Sequence, residues 1–312
     1  MPLAEELRAA FGERVRQNAP LASFTTFKVG GPADWLVEAA GAADVQRALA
    51  IGRRAGVPVT MLGGGSNVLV ADGGVRGIVV RLHGGQVHQI DANRIRADAG
   101  VTINGLVRWT INHGVAGIEA WAGTPGTVGG AVHGNAHFQR RNIGDLIDRV
   151  AVAGQNGDVT ELRAEQMEFG YDTSRLQRTG EKALWVDFRV GRGDPAELRA
   201  IARASLAFRK QTQPLDTPSA GCIFQNPDTA VDRIPSGIPA SAGALVDRAG
   251  LKGAREGGAH VSTTHANFIV NDGGASARDI RRLIARCKEA VRDRFGVELR
   301  EEIVYLGDFN ES

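Results

Sequence analysis

The sequence predicts an α+β protein, on three observations. Strand-like and helix-like segments follow one another in irregular order, not as a repeating strand–helix unit. Several apolar runs are separated by Gly-Gly pairs at 73–74 and 84–85, which suits hairpins. Glycine is abundant, at 41 of 312 residues, without a collagen-like period or a low-complexity block. Such glycines serve tight turns or close approach of backbone to a ligand.

The elements follow in order. Leu3, Leu7, Phe11 and Val15 recur every fourth residue and predict a short amphipathic helix. Residues 23–39 read as a strand broken at Gly30-Gly31-Pro32, and 43–55 as a helix closed by Gly56. Val59–Leu62 reads as a strand running into Gly63-Gly64-Gly65-Ser66-Asn67. Strands are expected near 68–70, 77–82, 88–90 and 94–97, and a helix over 101–113. A second glycine-rich segment, 122–136, precedes strands at 147–153, 158–162 and 184–190 and a helix at 195–209. The Pro/Ser/Gly stretch 211–221 marks a domain boundary. Ser276 with Asp279 opens a helix with an apolar stripe of Ile280, Leu283, Ile284, Cys287 and Val291, stopped by Gly296. A strand over 297–306 closes the chain.

Composition excludes several classes. With 37 basic and 35 acidic residues there is no nucleic-acid footprint, and Arg281, Arg282 and Arg286 read as a solvated helix face. Two cysteines without C-x-x-C spacing exclude a disulfide scaffold or zinc ribbon. His133 and His137 are four apart, but Gly134-Asn135-Ala136 argues against a helix, so no metal site is expected. No run of 18 apolar residues occurs, and the amino-terminal stretch lacks a signal-peptide core. A cytoplasmic protein without membrane insertion is expected, monomeric by default.

Four segments can carry chemistry. Successive glycine amides at Gly63, Gly64 and Gly65 can wrap a phosphate, with Ser66 and Asn67 adding side-chain donors. No Gly-Lys-Ser/Thr follows, and the pattern is not G-x-G-x-x-G. Thr124, Gly126, Thr127, Gly129 and Gly130 form a second such segment, and the two together suit a dinucleotide cleft. Cys222, after Gly221, reads as a proton donor or nucleophile, or as a buried structural thiol. Cys287, on the apolar stripe, reads as core. In the last strand the alternation does not choose between Glu301 and Glu302 as an acid of raised pKa.

These segments together resemble the UDP-N-acetylenolpyruvoylglucosamine reductase (MurB) family of flavoenzymes. TTFKVGGPADWLVE, LGGGSNVLVADGGVRGIVVRL and GIEAWAGTPGTVGGAVHGNAHFQRRNIGDLI look like its FAD-binding half. FGYDTSRL, GCIFQNP, SAGALVDRAGLKGAREGGAHVSTTHANFIVN and LREEIVYLG look like its later landmarks, without the insertion of the longer subtype. The resemblance implies a vanillyl-alcohol-oxidase-type fold. Two FAD-binding subdomains (1–80 and 81–210) would precede a substrate domain (211–312). It implies non-covalent FAD, NADPH as reductant and a nucleotide-sugar substrate. Glu302 would be the acidic residue of the closing L-x-x-E motif. Cys222 would stand where the family most often has a proton-donating serine. Tyr171, Lys210 and Asn226 would contact substrate. The resemblance also implies an arginine at position 172, but Asp172 stands there. Arg175, held by Asp172, is expected to take that role. Gln225 stands where a lysine or arginine is common. Other flavin oxidases of this fold, and a catalytically silent nucleotide-sugar binder, are the alternative functions.

Overall fold

A computed structural model of the chain describes residues 2–139 and 141–309. Arg140, within the string beginning GIEAW quoted above, lies outside the described residues. The chain forms two compact units, each assembled from separated stretches. The first comprises Met1–Ala19, Ala33–Gly64 and Arg76–Phe208, and the second Pro20–Pro32, Gly65–Val75 and Arg209–Ser312.

Among the described residues the first unit holds two larger sheets and two two-stranded ones. One of the larger sheets has the strand order Val15–Pro20, Pro32–Ala39, Val75–Leu82, Val59–Leu62, its last pair parallel. The helix Leu3–Phe11 stops at Gly12, whose φ of 59° lies in the left-handed half of backbone space. Val15 therefore opens a strand, and the four-residue repeat ends one position earlier than expected. The strand expected from residue 23 begins only at Pro32, after a short 3-10 turn at Ala22–Phe24. The other sheet is antiparallel, in the order Val159–Arg163, Ile147–Ala153, Lys182–Arg189, Arg94–Asp98, Val87–Asp91. Val80, Ile95, Trp121, Val150, Val186 and Phe188 pack in the core of this unit, each almost fully removed from water. Burying each such side chain stabilises by roughly 1.5–3 kcal/mol before conformational entropy is set against it.

The second unit packs the helices Ala242–Arg248 and Ala277–Phe295 beside a three-stranded antiparallel sheet, Arg255–Glu256, Ala259–Val261 and Ile269–Asn271. Ser276 and Asp279 form the expected capping box, and Gly296 closes the long helix at φ 69°. All five stripe residues are buried. Cys287 is among them, and burial, opposed by nearby Arg286, pushes its thiol up to about 12. The closing strand is shorter than expected, Val304–Leu306, and pairs in parallel with Val68–Val70. Its period-two pattern survives as burial of Val297, Leu299 and Ile303. Among the described residues no helix is long and apolar enough to cross a membrane, and no cluster of side chains could hold a metal ion.

Candidate active site

In the first unit the two glycine-rich segments touch. A Cβ on Gly63 would fall 2.5 Å from Thr127 Oγ1, and one on Gly64 would fall 2.6 Å from Gly126 Cα. Only glycine lets these backbones approach so closely. The second segment is pinned in turn on residues 99–103. The amide of Ile103 donates to the Gly126 carbonyl, Val128 to Val101, and Gly129 to Ala99. Gly126 has φ 99°, a conformation reserved for glycine. Among the described residues, nothing accepts from the amides of Gly64, Gly126 and Thr127. Donors gathered on a glycine cradle suit the oxygens of a diphosphate.

Two details correct the expectation. The Thr127 hydroxyl accepts from the Gly130 amide as a helix N-cap, and the Gly129 amide is spent on Ala99. Gly129 and Gly130 thus shape the segment without offering their amides. The Thr124 amide donates to Trp121 and its carbonyl accepts from Asn104.

Past the helix Val128–His133 the chain turns at Asn135, φ 43°, into His137. Asn135 Nδ2 donates to the Gly170 carbonyl at 2.7 Å, and the Ser174 hydroxyl donates to the His133 carbonyl at 2.8 Å. The turn Gly170–Ser174 is thereby clamped to the end of that helix. Tyr171 is 46% exposed, and its ring lies 5.1 Å from that of His137. Asp172, 8% exposed and at φ 54°, bonds His137 Nδ1 at 2.9 Å. Arg175 engages Glu181 through Nε at 2.8 Å and Nη2 at 3.3 Å. The expectation that Asp172 holds Arg175 is therefore corrected: Glu181 holds Arg175, and Asp172 holds His137. Bidentate geometry favours a guanidinium on a carboxylate over a single contact.

In the second unit, residues 223–225 run antiparallel to 300–302. The Glu302 amide donates to Ile223, the Gln225 amide to Arg300, and Phe224 bridges Glu301. Cys222 and Glu302, 80 positions apart in sequence, are thus carried on adjoining segments. Asn267 fixes the cysteine segment with both ends of its side chain: Oδ1 accepts from the Phe224 amide and Nδ2 donates to the Phe224 carbonyl. Glu301 is engaged by Lys288 Nζ at 2.6 Å and by the Tyr305 hydroxyl at 2.5 Å. Asn67 Nδ2 donates to the Glu302 carbonyl at 3.1 Å, so this side chain braces the segment that carries Glu302. A Cβ on Gly65 would fall 2.0 Å from the Phe24 carbonyl. Ser66 follows it, part-exposed. Lys210 is exposed on the last turn of the helix Pro195–Thr212, and Asn226 Oδ1 accepts from the Ala242 amide.

Sequence reading missed Asn267, His137 and Arg209. Asn267 lies inside an apolar run, Ala266 to Val270, where a polar residue is itself a signal. Arg209 is 6% exposed. Burial lowers its guanidinium to about 10, and Cys222 acts electrostatically in the opposite direction. Its signal was hidden by Lys210, the more obvious cation beside it.

Residues 213–306 match the family model for the UDP-N-acetylenolpyruvoylglucosamine reductase C-terminal domain, and 33–163 match an FAD-binding domain. The chain is 37% identical to UDP-N-acetylenolpyruvoylglucosamine reductase 1 of Bacillus anthracis, over 98% of this chain and 99% of that one. It is 39% identical to the reductase of Heliobacterium modesticaldum, over 94% and 90%. The crystal structure of the Thermus caldophilus reductase superposes with a TM-score of 0.76 at 32% identity, covering 94% and 98%. A glucose dehydrogenase, Phl p 4.0202, shares the FAD-binding fold alone, with a TM-score of 0.50 at 15% identity over 62% of this chain and 44% of its own. This chain therefore belongs to the UDP-N-acetylenolpyruvoylglucosamine reductase family, and its FAD-binding portion has the vanillyl-alcohol-oxidase-type fold.

Proposed function

We propose that the protein reduces the enolpyruvyl group of UDP-N-acetylglucosamine enolpyruvate to give UDP-N-acetylmuramate, a cytoplasmic step of peptidoglycan precursor synthesis. FAD, held by the two glycine-rich segments, would supply two-electron hydride chemistry, with NADPH as the reductant and the enol-ether double bond as the acceptor. The observation that carries this reading is the antiparallel ladder joining the Cys222 and Glu302 segments, with the neighbouring Glu301 tied to Lys288 and Tyr305. In this reading Glu302, the acidic residue that the family resemblance implies, is the acid for chemistry.

The residues divide the task. The Gly63–Asn67 and Thr124–Gly130 segments hold the FAD diphosphate, chiefly by backbone amides. Tyr171, Lys210 and Asn226 bind the nucleotide-sugar. The Cys222 thiol gives its proton to the carbon beside the one that accepts hydride, so the double bond becomes a single bond with one new C–H bond at each carbon, and the thiolate left behind regains a proton from water. A thiol, with a reference pKa near 8.5, releases a proton more readily than a serine hydroxyl. The Glu302 carboxyl hydrogen-bonds the enolate-like intermediate while the proton arrives. Residues 1–80 and 81–210 act as two FAD subdomains, and 211–312 carries the substrate.

Asp172, an acid where a cation is expected, favours one other reading, a silent nucleotide-sugar binder. Turnover decides between them. The purified protein is expected to be yellow, to bleach with NADPH under anaerobic conditions, and to recover its colour when the enolpyruvyl nucleotide-sugar is added. A flavin that bleaches but is not reoxidised by that compound would overturn the reading.

A further inference from the structure

Asp172 combines four features. Its backbone sits at φ 54°, unfavourable for a residue with a side chain, although aspartate tolerates it better than most. The residue is 92% removed from water, being 8% exposed. Oδ1 bonds His137 Nδ1 at 2.9 Å, while the buried Oδ2 has no hydrogen-bond partner among the described residues. The Asp172 carbonyl accepts from Gln177 Nε2 at 2.9 Å, so the strained turn is held from outside. A buried carboxylate oxygen without a partner is costly. Strain of this kind, of order 1–3 kcal/mol, persists where the surrounding structure over-determines it, and it clusters at functional sites.

The imidazole that this carboxylate engages lies in a telling place. It lies four residues past the end of the helix Val128–His133, and the exposed Tyr171 ring stands beside it. His133, four residues earlier, is in the opposite environment. Burial first, and then Lys182, lower its pKa and favour the neutral ring. A carboxylate beside an imidazole does the reverse, stabilising imidazolium and fixing the ring. The two histidines on this stretch thus sit in different surroundings, and of the two it is His137 whose ring has a carboxylate against it. Arg175 is a weaker source of positive charge, since both Nε and Nη2 of its fork are already on Glu181.

We propose that Asp172 and His137 form a carboxylate–imidazole dyad that replaces a guanidinium as the positive group opposite the charge developing on the enolpyruvyl substrate. His137 is the catalytic residue and Asp172 the positioning residue. This rests on the reductase reading above. No bond is made or broken at the dyad: the imidazolium keeps its proton on Nδ1, shared with Asp172, and acts by electrostatics.

The test uses holoenzyme and follows the flavin in two half-reactions. His137→Gln is expected to bleach with NADPH within about threefold of the wild-type rate. Its reoxidation by the enolpyruvyl nucleotide-sugar is expected to slow about 100-fold, the usual loss on removing one preorganised charge-stabilising group. Asp172→Asn should show the same split more mildly. Asp172→Arg in the His137→Gln background should regain at least tenfold. Nitrogen-15 NMR of histidine-labelled oxidised holoenzyme supplies a readout apart from turnover. The His137 ring should show imidazolium shifts that are lost in Asp172→Asn. Reoxidation of His137→Gln within threefold of wild type would overturn the proposal. So would a neutral His137 ring in the wild type, or a loss in Arg175→Ala with His137→Gln unaffected. Wild-type reoxidation separately tests the reductase reading, and a wild type that fails it sinks that reading while the ring spectrum still judges the dyad.

Discussion

Cys222 and Cys287 carry the same thiol in opposite surroundings. Cys287 is 1% exposed on the buried stripe of its helix, and its thiol is pushed up to about 12, so it holds almost no thiolate at neutral pH. Cys222 follows Gly221, at φ 81°, is part-exposed, and interacts electrostatically with the buried Arg209. Brief treatment with iodoacetamide at pH 8 is expected to alkylate Cys222 and leave Cys287 unmodified, as read by peptide mass spectrometry. The same treatment should abolish product formation in the wild type and spare Cys222→Ser. Equal labelling of the two cysteines would contradict this. The core role of Cys287 was legible because a helical stripe repeats and can be counted. The contact of Lys288 with Glu301 was not, since it joins a helix and a closing strand that sequence spacing does not connect. The partner of Asp172 was hidden for the same reason: 35 residues separate it from His137, and only the folded turn joins them.

At the scale of elements, the strongest local signals proved to be helix ends. The capping box at Ser276 and Asp279 and the left-handed glycines at 56 and 296 stand where the pattern put them. Each is decided within a few residues of itself. Strand ends were less legible, because a strand lasts only as long as its neighbour, and among the described residues Val304–Leu306 pairs with the three-residue strand Val68–Val70. The cap also yields a pH-dependent prediction. The Ser276 amide holds the Asp279 carboxyl below the usual carboxylate range, against a smaller opposing effect of burial. A carboxyl depressed in the folded state contributes stability above its unfolded pKa, near 3.9, and loses it as pH falls through the folded value. Thermal melts should therefore show Asp279→Asn below wild type at pH 7, with the gap closing as pH falls below about 3.9. Ser276→Ala should lower stability by about 1 kcal/mol. A gap independent of pH would show that the charge on Asp279 contributes nothing.

At the scale of the whole molecule, the second unit is completed by chain from far upstream. Phe27, Val29 and Leu69 pack in its core with Val246, Leu283 and Ile303. Asn271 Nδ2 donates to the Phe27 carbonyl, and Asp72 accepts from the amides of Ala277 and Arg278 at the start of the long helix. Losing three such core side chains removes roughly 1.5–3 kcal/mol each, a large share of an ordinary domain stability of 5–15 kcal/mol. A fragment starting at Arg209 is expected to show the narrow amide dispersion of an unfolded chain in a proton–nitrogen NMR spectrum. Well-dispersed resonances would show that the carboxy-terminal part folds alone. The sequence suggested a boundary near 211–221 from its turn residues, which report where regular structure stops. They do not report which distant segments cross over to complete a core.

The pairing of Val68–Val70 with Val304–Leu306 also orders events in time. Its two strands are separated by 236 residues of chain, counted from Val68 to Val304. At the usual pace of translation, roughly 5–20 residues per second, the first strand waits on the order of tens of seconds for its partner. The glycine cradle at 63–64 and 126–127 can close on the ribosome long before then.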